Sequence, residues 1–304
     1  MTPRARHTTS IALLAALAFV GALVAADAGN AYLEGIESWR AGRIERLQRP
    51  DGWLTLVGLA WLETGDNAVG SAPDSGVALP AGAPAKLGTI RVEGGAATFT
   101  ATPGVEVTAD GARVSTIRMR SDRDGDPTVL LHGSLRLYVI GRNDRLAVRV
   151  KDADAPARTR FAGIEHFPVD ARWRVQARFE PAPAGNEVEV PNALGYMEKM
   201  NAPGHVVFEL GGETQRLLAL DDTGDGRLFL VFGDLTTGRE TYGGGRFLYT
   251  DPPKDGKVEI DFNRAYNPPC VFTPYATCPL PPPGNKMKVR VEAGEKKYAL
   301  AAHS

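Results

Sequence analysis

The sequence predicts an all-β protein: two packed sandwich- or barrel-like β-units, an N-terminal helix and a Pro-rich disulfide loop near the C-terminus. Three observations predict it. Short runs rich in β-branched and aromatic residues recur along the chain from about residue 89, at the spacing of sandwich and barrel strands. Turn dipeptides such as Gly94-Gly95 and Asp110-Gly111 separate them, supplying the positive φ of tight hairpins. Gly 34 and Pro 22 together make about 18% of the 304 residues, against a usual share of roughly 12%.

The first element is not part of the fold. Arg4 and Arg6 precede an apolar or small run over residues 11–26, and Ala25, Ala26 and Ala28 follow. That is the layout of a secretory signal peptide, expected over residues 1–28. The run is shorter than the roughly 20 residues that span a bilayer. No Arg-Arg pair and no cysteine near the junction point to twin-arginine export or a lipid anchor. The expected location is periplasmic or secreted, with no integral membrane segment after cleavage.

Residues 30–49 read as a helix. Leu33, Ile36, Arg40, Ile44 and Leu47 form one stripe, Asn30 can cap it, and Pro50 stops it. The run WLTLVGLAWL over 53–62 is too apolar for a surface element, and its periodicity fits a buried strand or a short buried helix equally. Strands are expected over 89–92, 97–100, 105–108, 113–119, 135–140 and 146–150. A second series covers 173–179, 188–190, 206–210, 216–220, 228–232, 247–249, 258–262 and 287–291. Leu135, Leu137 and Val139 alternate with Arg136 and Tyr138, as in a sheet with one wet face. The charged, proline-broken stretch 151–158 marks the boundary between a first unit over 29–152 and a second over 153–304.

Cys270 and Cys278 are the two cysteines, both beyond the export signal. In an oxidising compartment such a pair reads as a disulfide. Closing so small a loop contributes about 2–3 kcal/mol on the chain-entropy estimate. A two-cysteine metal half-site lacks His or carboxylate partners at zinc-finger spacing.

The string DFNRAYNPPCVFTPYATCPLPPPGNKMKVRVEAGEK over 261–296, with WLTLVGLAWL near the start and GGGRFLYTDPP before it, resembles the bacterial and archaeal family called domain of unknown function 1684. The resemblance covers roughly residues 39–298 and implies no biochemical activity. VGSAPDSGVALP, PAKLGTIRVEGG and GVEVTADGARV resemble the strand and turn order of forkhead-associated sandwiches. The phosphothreonine ligands of that fold are missing: Ser71 follows Gly70, and the turn reads Pro84-Ala85-Lys86-Leu87-Gly88.

The formal net charge of −1 argues against nucleic-acid binding through a global field. The densest polar cluster is Asp261, Asn263, Arg264, Tyr266 and Asn267, followed by seven prolines between 268 and 283 that stiffen the backbone. A rigid loop of this kind pre-organises recognition of a small polar or glycan-like ligand. The same side chains serve equally well to satisfy backbone groups where a loop covers a barrel end. Tyr242 and Arg246, around three glycines, form a neighbouring group that lacks the P-loop pattern.

Asp122, Asp124 and Asp126 alternate like calcium ligands, but Pro127 and Gly133 stand where a Gly and a Glu are required. Asp221, Asp222 and Asp225 likewise read as an acidic turn. His132, His166, His205 and His303 fit no metal motif, so no metal and no cofactor is expected. No Gly-x-Ser-x-Gly elbow is present. The expected function is non-catalytic ligand binding. The alternatives are a hydrolase using a carboxylate pair drawn from Asp234, Glu240 and Asp261, and an envelope interaction protein.

Overall fold

A computed structural model describes residues 29–298; the expected signal peptide lies outside them. The described residues divide into two units between residues 43 and 44. Helix α1 runs over 29–48, with Ile36 and Leu47 buried along it, whereas Leu33 of the expected stripe is exposed.

The second unit is mostly β and holds two lobes. In the first, a single 3-10 turn, Trp53–Thr55, leads into β1 (Leu56–Trp61), so the ambiguous apolar run is a strand. β2 (Gly65–Gly70), β3 (Val77–Ala78), β4 (Gly88–Glu93), β5 (Ala96–Ala101), β6 (Thr108–Ala109), β7 (Ala112–Arg113), β8 (Thr116–Met119), β9 (Val129–His132), β10 (Leu135–Arg142) and β11 (Arg145–Asp152) follow. They form a six-stranded sheet, β1-β11-β10-β9-β6-β7, and a five-stranded sheet, β3-β2-β4-β5-β8. The expected strands over 105–108 and 113–119 divide among β6, β7 and β8. Ile90 and Phe99 of one sheet and Leu130, Leu137, Val148 and Val150 of the other share one core. Gly94 and Gly95 take φ 56° and 77°, and Asp110 and Gly111 take 51° and 78°, the left-handed pairs that a two-residue hairpin needs.

The second lobe comprises β12 (Arg174–Pro181), β13 (Glu187–Pro191), β14 (Met197–Leu210), β15 (Glu213–Asp221), β16 (Leu228–Phe232), β17 (Arg246–Thr250) and β18 (Lys257–Asp261). Its path is β17-β16-β15-β14-β12-β18, with β13 on β14. The chain leaving β18 returns to β17: Phe247 and Tyr266 exchange backbone hydrogen bonds of 2.9 Å in both directions. The sheet thereby curls almost closed. Inside lie Phe208, Leu217, Leu230, Phe232, Leu248, Ile260 and Phe262. β16 is buried on both faces, because Phe229 and Val231 pack outward under Leu56, Ala276 and Cys278. The expected strand over 287–291 is absent. That segment is irregular, with Met287 and Val291 buried, and is tied by Leu235 N–H donating to Val289 O (3.0 Å) and Met287 N–H to Gly233 O (2.9 Å).

Gly204 stands where the β14–β15 pairing shifts register and lies close against β12. A Cβ there would stand 2.2 Å from the Glu180 carbonyl oxygen.

Candidate functional site

Most of the polar residues singled out in the sequence turn inward. Asp261 caps the 3-10 turn Phe262–Arg264, its Oδ1 accepting from Asn263 N–H (3.0 Å) and Asn263 Nδ2 (3.0 Å). Asn263, fully buried, reaches across to Asp170: its Oδ1 accepts from Asp170 N–H (3.1 Å), and its Nδ2 donates to Asp170 O (2.9 Å). Asn267, also fully buried, donates through Nδ2 to Lys296 O (2.8 Å), and its N–H donates to Glu295 Oε2 (2.7 Å).

Arg246 is fully buried. Its Nη2 donates to Asp234 Oδ2 (2.8 Å) and Val291 O (2.9 Å), and its Nη1 donates to Ala293 O. Burial pushes its guanidinium pKa down, and the Asp234 carboxylate opposes that. Asp234 Oδ1 also accepts from Thr236 N–H (2.7 Å) and Val291 N–H (3.3 Å).

Arg264 is the outward member of the set: its side chain is 46% exposed, 3.8 Å from Asp261. Tyr266 stacks with Tyr249 (centroids 6.5 Å apart) and meets Phe247 edge-on. Tyr242 packs with Leu47, Leu54 and Phe272, and its phenol pKa is raised by burial and by a hydrogen bond with the Cys270 thiol. Cys270 and Cys278 are unbridged neighbours, with Cys270 N–H donating to Cys278 Sγ over 3.2 Å. Their segment straps the two lobes together: Thr273 Oγ1 donates to Leu56 O (2.9 Å), and Arg149 Nη2 donates to Thr277 Oγ1 (2.9 Å).

The inward network has a consequence at one end of the second lobe. A cleft of about 520 Å³ opens there between three walls: Arg172, Trp173 and Val175; Glu209 to Gly212; and Val289, Arg290 and Glu292. Asn263 grips the backbone of Asp170, and Asp170 Oδ1 accepts from Arg172 N–H (2.9 Å), capping the turn Ala171–Trp173. Arg246 and Asp234 hold the backbone of residues 291–293 on the opposite side. Thus both sequence-nominated groups brace walls of this cleft from behind.

The cleft's own side chains were not nominated. Trp173 is only 7% exposed, and its indole Nε1 is buried without a hydrogen-bond partner. The Arg172 guanidinium lies 5.1 Å from the Trp173 ring centroid and 2.9 Å from Asp170. Arg290 pairs with Glu240 (2.7 Å) and Glu292 (2.9 Å), and its guanidinium holds the Glu240 carboxyl below its ordinary pKa. Gly211 turns the β14–β15 hairpin at φ 66°, where a Cβ would meet Val289 Cγ2 at 2.7 Å. The Asp170 cap and the Gly211-Gly212 turn were readable signals; their convergence with residue 290 was not. No group of metal-ligating side chains occurs among the described residues.

The three carboxylates nominated for hydrolysis are each engaged by an ion pair, Asp234 with Arg246, Glu240 with Arg290 and Asp261 with Arg264. Among the described residues, no helix is long and apolar enough to cross a membrane.

These features define a two-lobed, mostly β protein with a braced cleft at the end of its second lobe. The chain belongs to the family described as "Protein of unknown function (DUF1684)", whose model matches residues 159–296. An uncharacterised protein of Haloarcula marismortui, solved by solution NMR, is 32% identical over 46% of this chain and 79% of its own, with a TM-score of 0.40. A phosphothreonine-dependent forkhead-associated domain structure is 20% identical, covering 31% of this chain and 92% of its own, with a TM-score of 0.22. No curated protein matches the chain.

Proposed function

We propose that this is an exported, non-catalytic binding protein for a small polar or glycan-like ligand held in the Trp173 cleft. The observation that carries the reading is the open cleft itself, about 520 Å³ with Trp173 set among the charged side chains of Arg172, Glu209, Arg290 and Glu292, since a concave site with an aromatic wall and a few polar groups suits a small polar ligand. The surroundings suit a polyhydroxylated molecule. Arg172 and Arg290 offer donors, Glu209 and Glu292 offer acceptors, and Val175, Leu210 and Val289 give apolar surface. The volume lies in the range of small-molecule sites. Asp261, Asn263, Asn267 and Arg246 support the walls; Arg264, Tyr266 and Tyr242 lie outside the cleft lining.

Trp173→Phe removes the indole N–H and shortens the aromatic wall of the cleft while keeping an aromatic ring there. Calorimetric titration of the mature protein against mono-, oligosaccharides and polar metabolites should find a ligand that this variant binds roughly three- to tenfold more weakly. A wild type that binds nothing in the panel, or a variant that binds equally well, overturns the reading. The hydrolytic alternative retains one supporting observation, two carboxylates lining the same cleft. Release of reducing ends from an oligosaccharide panel, abolished in Glu292→Gln, would favour it over simple binding.

Export carries a second expectation, a Cys270–Cys278 disulfide. Denatured protein recovered from the periplasm or medium should show no free thiol, and reduction should cost about 2–3 kcal/mol of stability. Amide exchange should then rise over 262–283 and at Leu56, where the strap is anchored, while β4 and β5 stay protected. Two free thiols in exported protein would contradict the proposal.

A further inference from the structure

The outer face of β11 carries a feature that the cleft does not use. Leu146, Val148 and Val150 point into the sandwich core, so Arg145, Arg149 and Lys151 share the opposite face. Each cation lies against an aromatic ring: Arg145 is 4.4 Å from the Trp61 centroid, Arg149 is 5.0 Å from Trp53, and Lys151 is 5.6 Å from Trp53 and 5.5 Å from Tyr138. The row is about 20 Å long at strand rise.

The three cations are only partly compensated: Lys151 Nζ donates to the Asp51 carbonyl oxygen, close to the Asp51 carboxylate. None pairs with a carboxylate among the described residues, whereas Arg142, Arg172, Arg246 and Arg290 all do. Arg149 is the sharpest case. It is 7% exposed, its Nη2 donates to the Thr277 hydroxyl (2.9 Å), and its buried Nε has no partner. A buried cation held only by a hydroxyl and a ring face is under-compensated. Trp53, Trp61 and Tyr138 are half-buried, leaving part of each ring accessible.

We infer that this face binds an acidic glycan, a carboxylate-bearing oligosaccharide whose sugar rings lie on the exposed parts of the aromatic side chains while its carboxylates pair with Arg145 and Lys151. Aromatic rings with a polar rim suit the apolar faces and hydroxyls of sugars, and surface cations outside any salt bridge suit the acid groups. A nucleic acid fits less well. Its affinity rests on neutralising many phosphates, and three cations on a chain of net charge −1 supply few.

The test uses the mature protein, with an oligogalacturonate, a neutral dextran oligomer and oligo(dT) as probes. Wild type should bind the oligogalacturonate, several-fold more weakly at 200 mM than at 50 mM salt, and should not bind dextran at this face. Arg145→Gln/Lys151→Gln should lose at least tenfold in affinity with an unchanged melting temperature, since both side chains reach the surface. Trp173→Phe should leave this binding intact, which separates it from the cleft. No binding of oligogalacturonate, equal binding by the double variant, or tighter binding of oligo(dT) would each overturn the inference.

Discussion

Arg246→Met is expected to lower the unfolding free energy by about 3–5 kcal/mol, because it strands a buried carboxylate. Arg246 and Asp234 side chains are both fully inaccessible and joined at 2.8 Å. The same guanidinium satisfies the carbonyls of Val291 and Ala293, so its removal also orphans two acceptors. Urea denaturation of Arg246→Met, Asp234→Leu and the double variant, at constant pH, measures the effect. Each single change should move the midpoint far to lower urea. The double variant should be less damaged than the two losses added together, since no charge is then left alone. Single variants within 1 kcal/mol of wild type would mean that water reaches the pair. Because this network holds residues 291–293, Arg246→Met should also weaken any ligand of the neighbouring cleft.

Asn263→Ala should cost about 2–4 kcal/mol, the second-largest expected loss, since it breaks one hydrogen bond to each polar backbone group of Asp170 and one to Asp261 in a buried setting. Arg264→Ala, one residue away, should stay within about 0.5 kcal/mol: its partner is 3.8 Å off and its side chain is half-exposed. The contrast separates a structural network from a contact surface. Denaturation midpoints read the stability. Ligand titration should show Asn263→Ala weakened through displacement of the Asp170–Trp173 wall and Arg264→Ala unaffected. Equal effects of the two changes, on either measurement, would contradict this division of roles.

The local elements were legible because their signals are local. Gly94-Gly95 and Asp110-Gly111 are hairpin turns, since only particular residues accept the required φ. The α1 stripe ends at Leu47 before Pro50 as read, although Leu33 proved exposed. The segment 287–291 misled, because Met287 and Val291 there are buried by irregular packing against the second lobe rather than by a ladder. Composition alone does not distinguish the two.

The polar cluster near Cys270 was visible in the sequence, where it fits a ligand site and a structural network equally; what could not be read was direction. Whether Asn263 faces solvent or Asp170 depends on β12 lying beside β18, a pairing between residues distant in the sequence, such as Arg174 with Asp261. The cleft likewise assembles Trp173, Glu209 and Arg290 from three distant segments.

By itself, then, the amino-acid order determined most of the strands, the hairpin turns, the leading helix and where hydrogen-bonding side chains concentrate, because backbone preference and side-chain alternation act over a few residues. Only the tertiary structure decided which of those side chains spend their bonds inward, which cations stay outside any salt bridge, and where a concavity forms. Hydrogen bonds, ion pairs and cavities are properties of whichever segments are brought face to face, and that is set by packing across the whole chain.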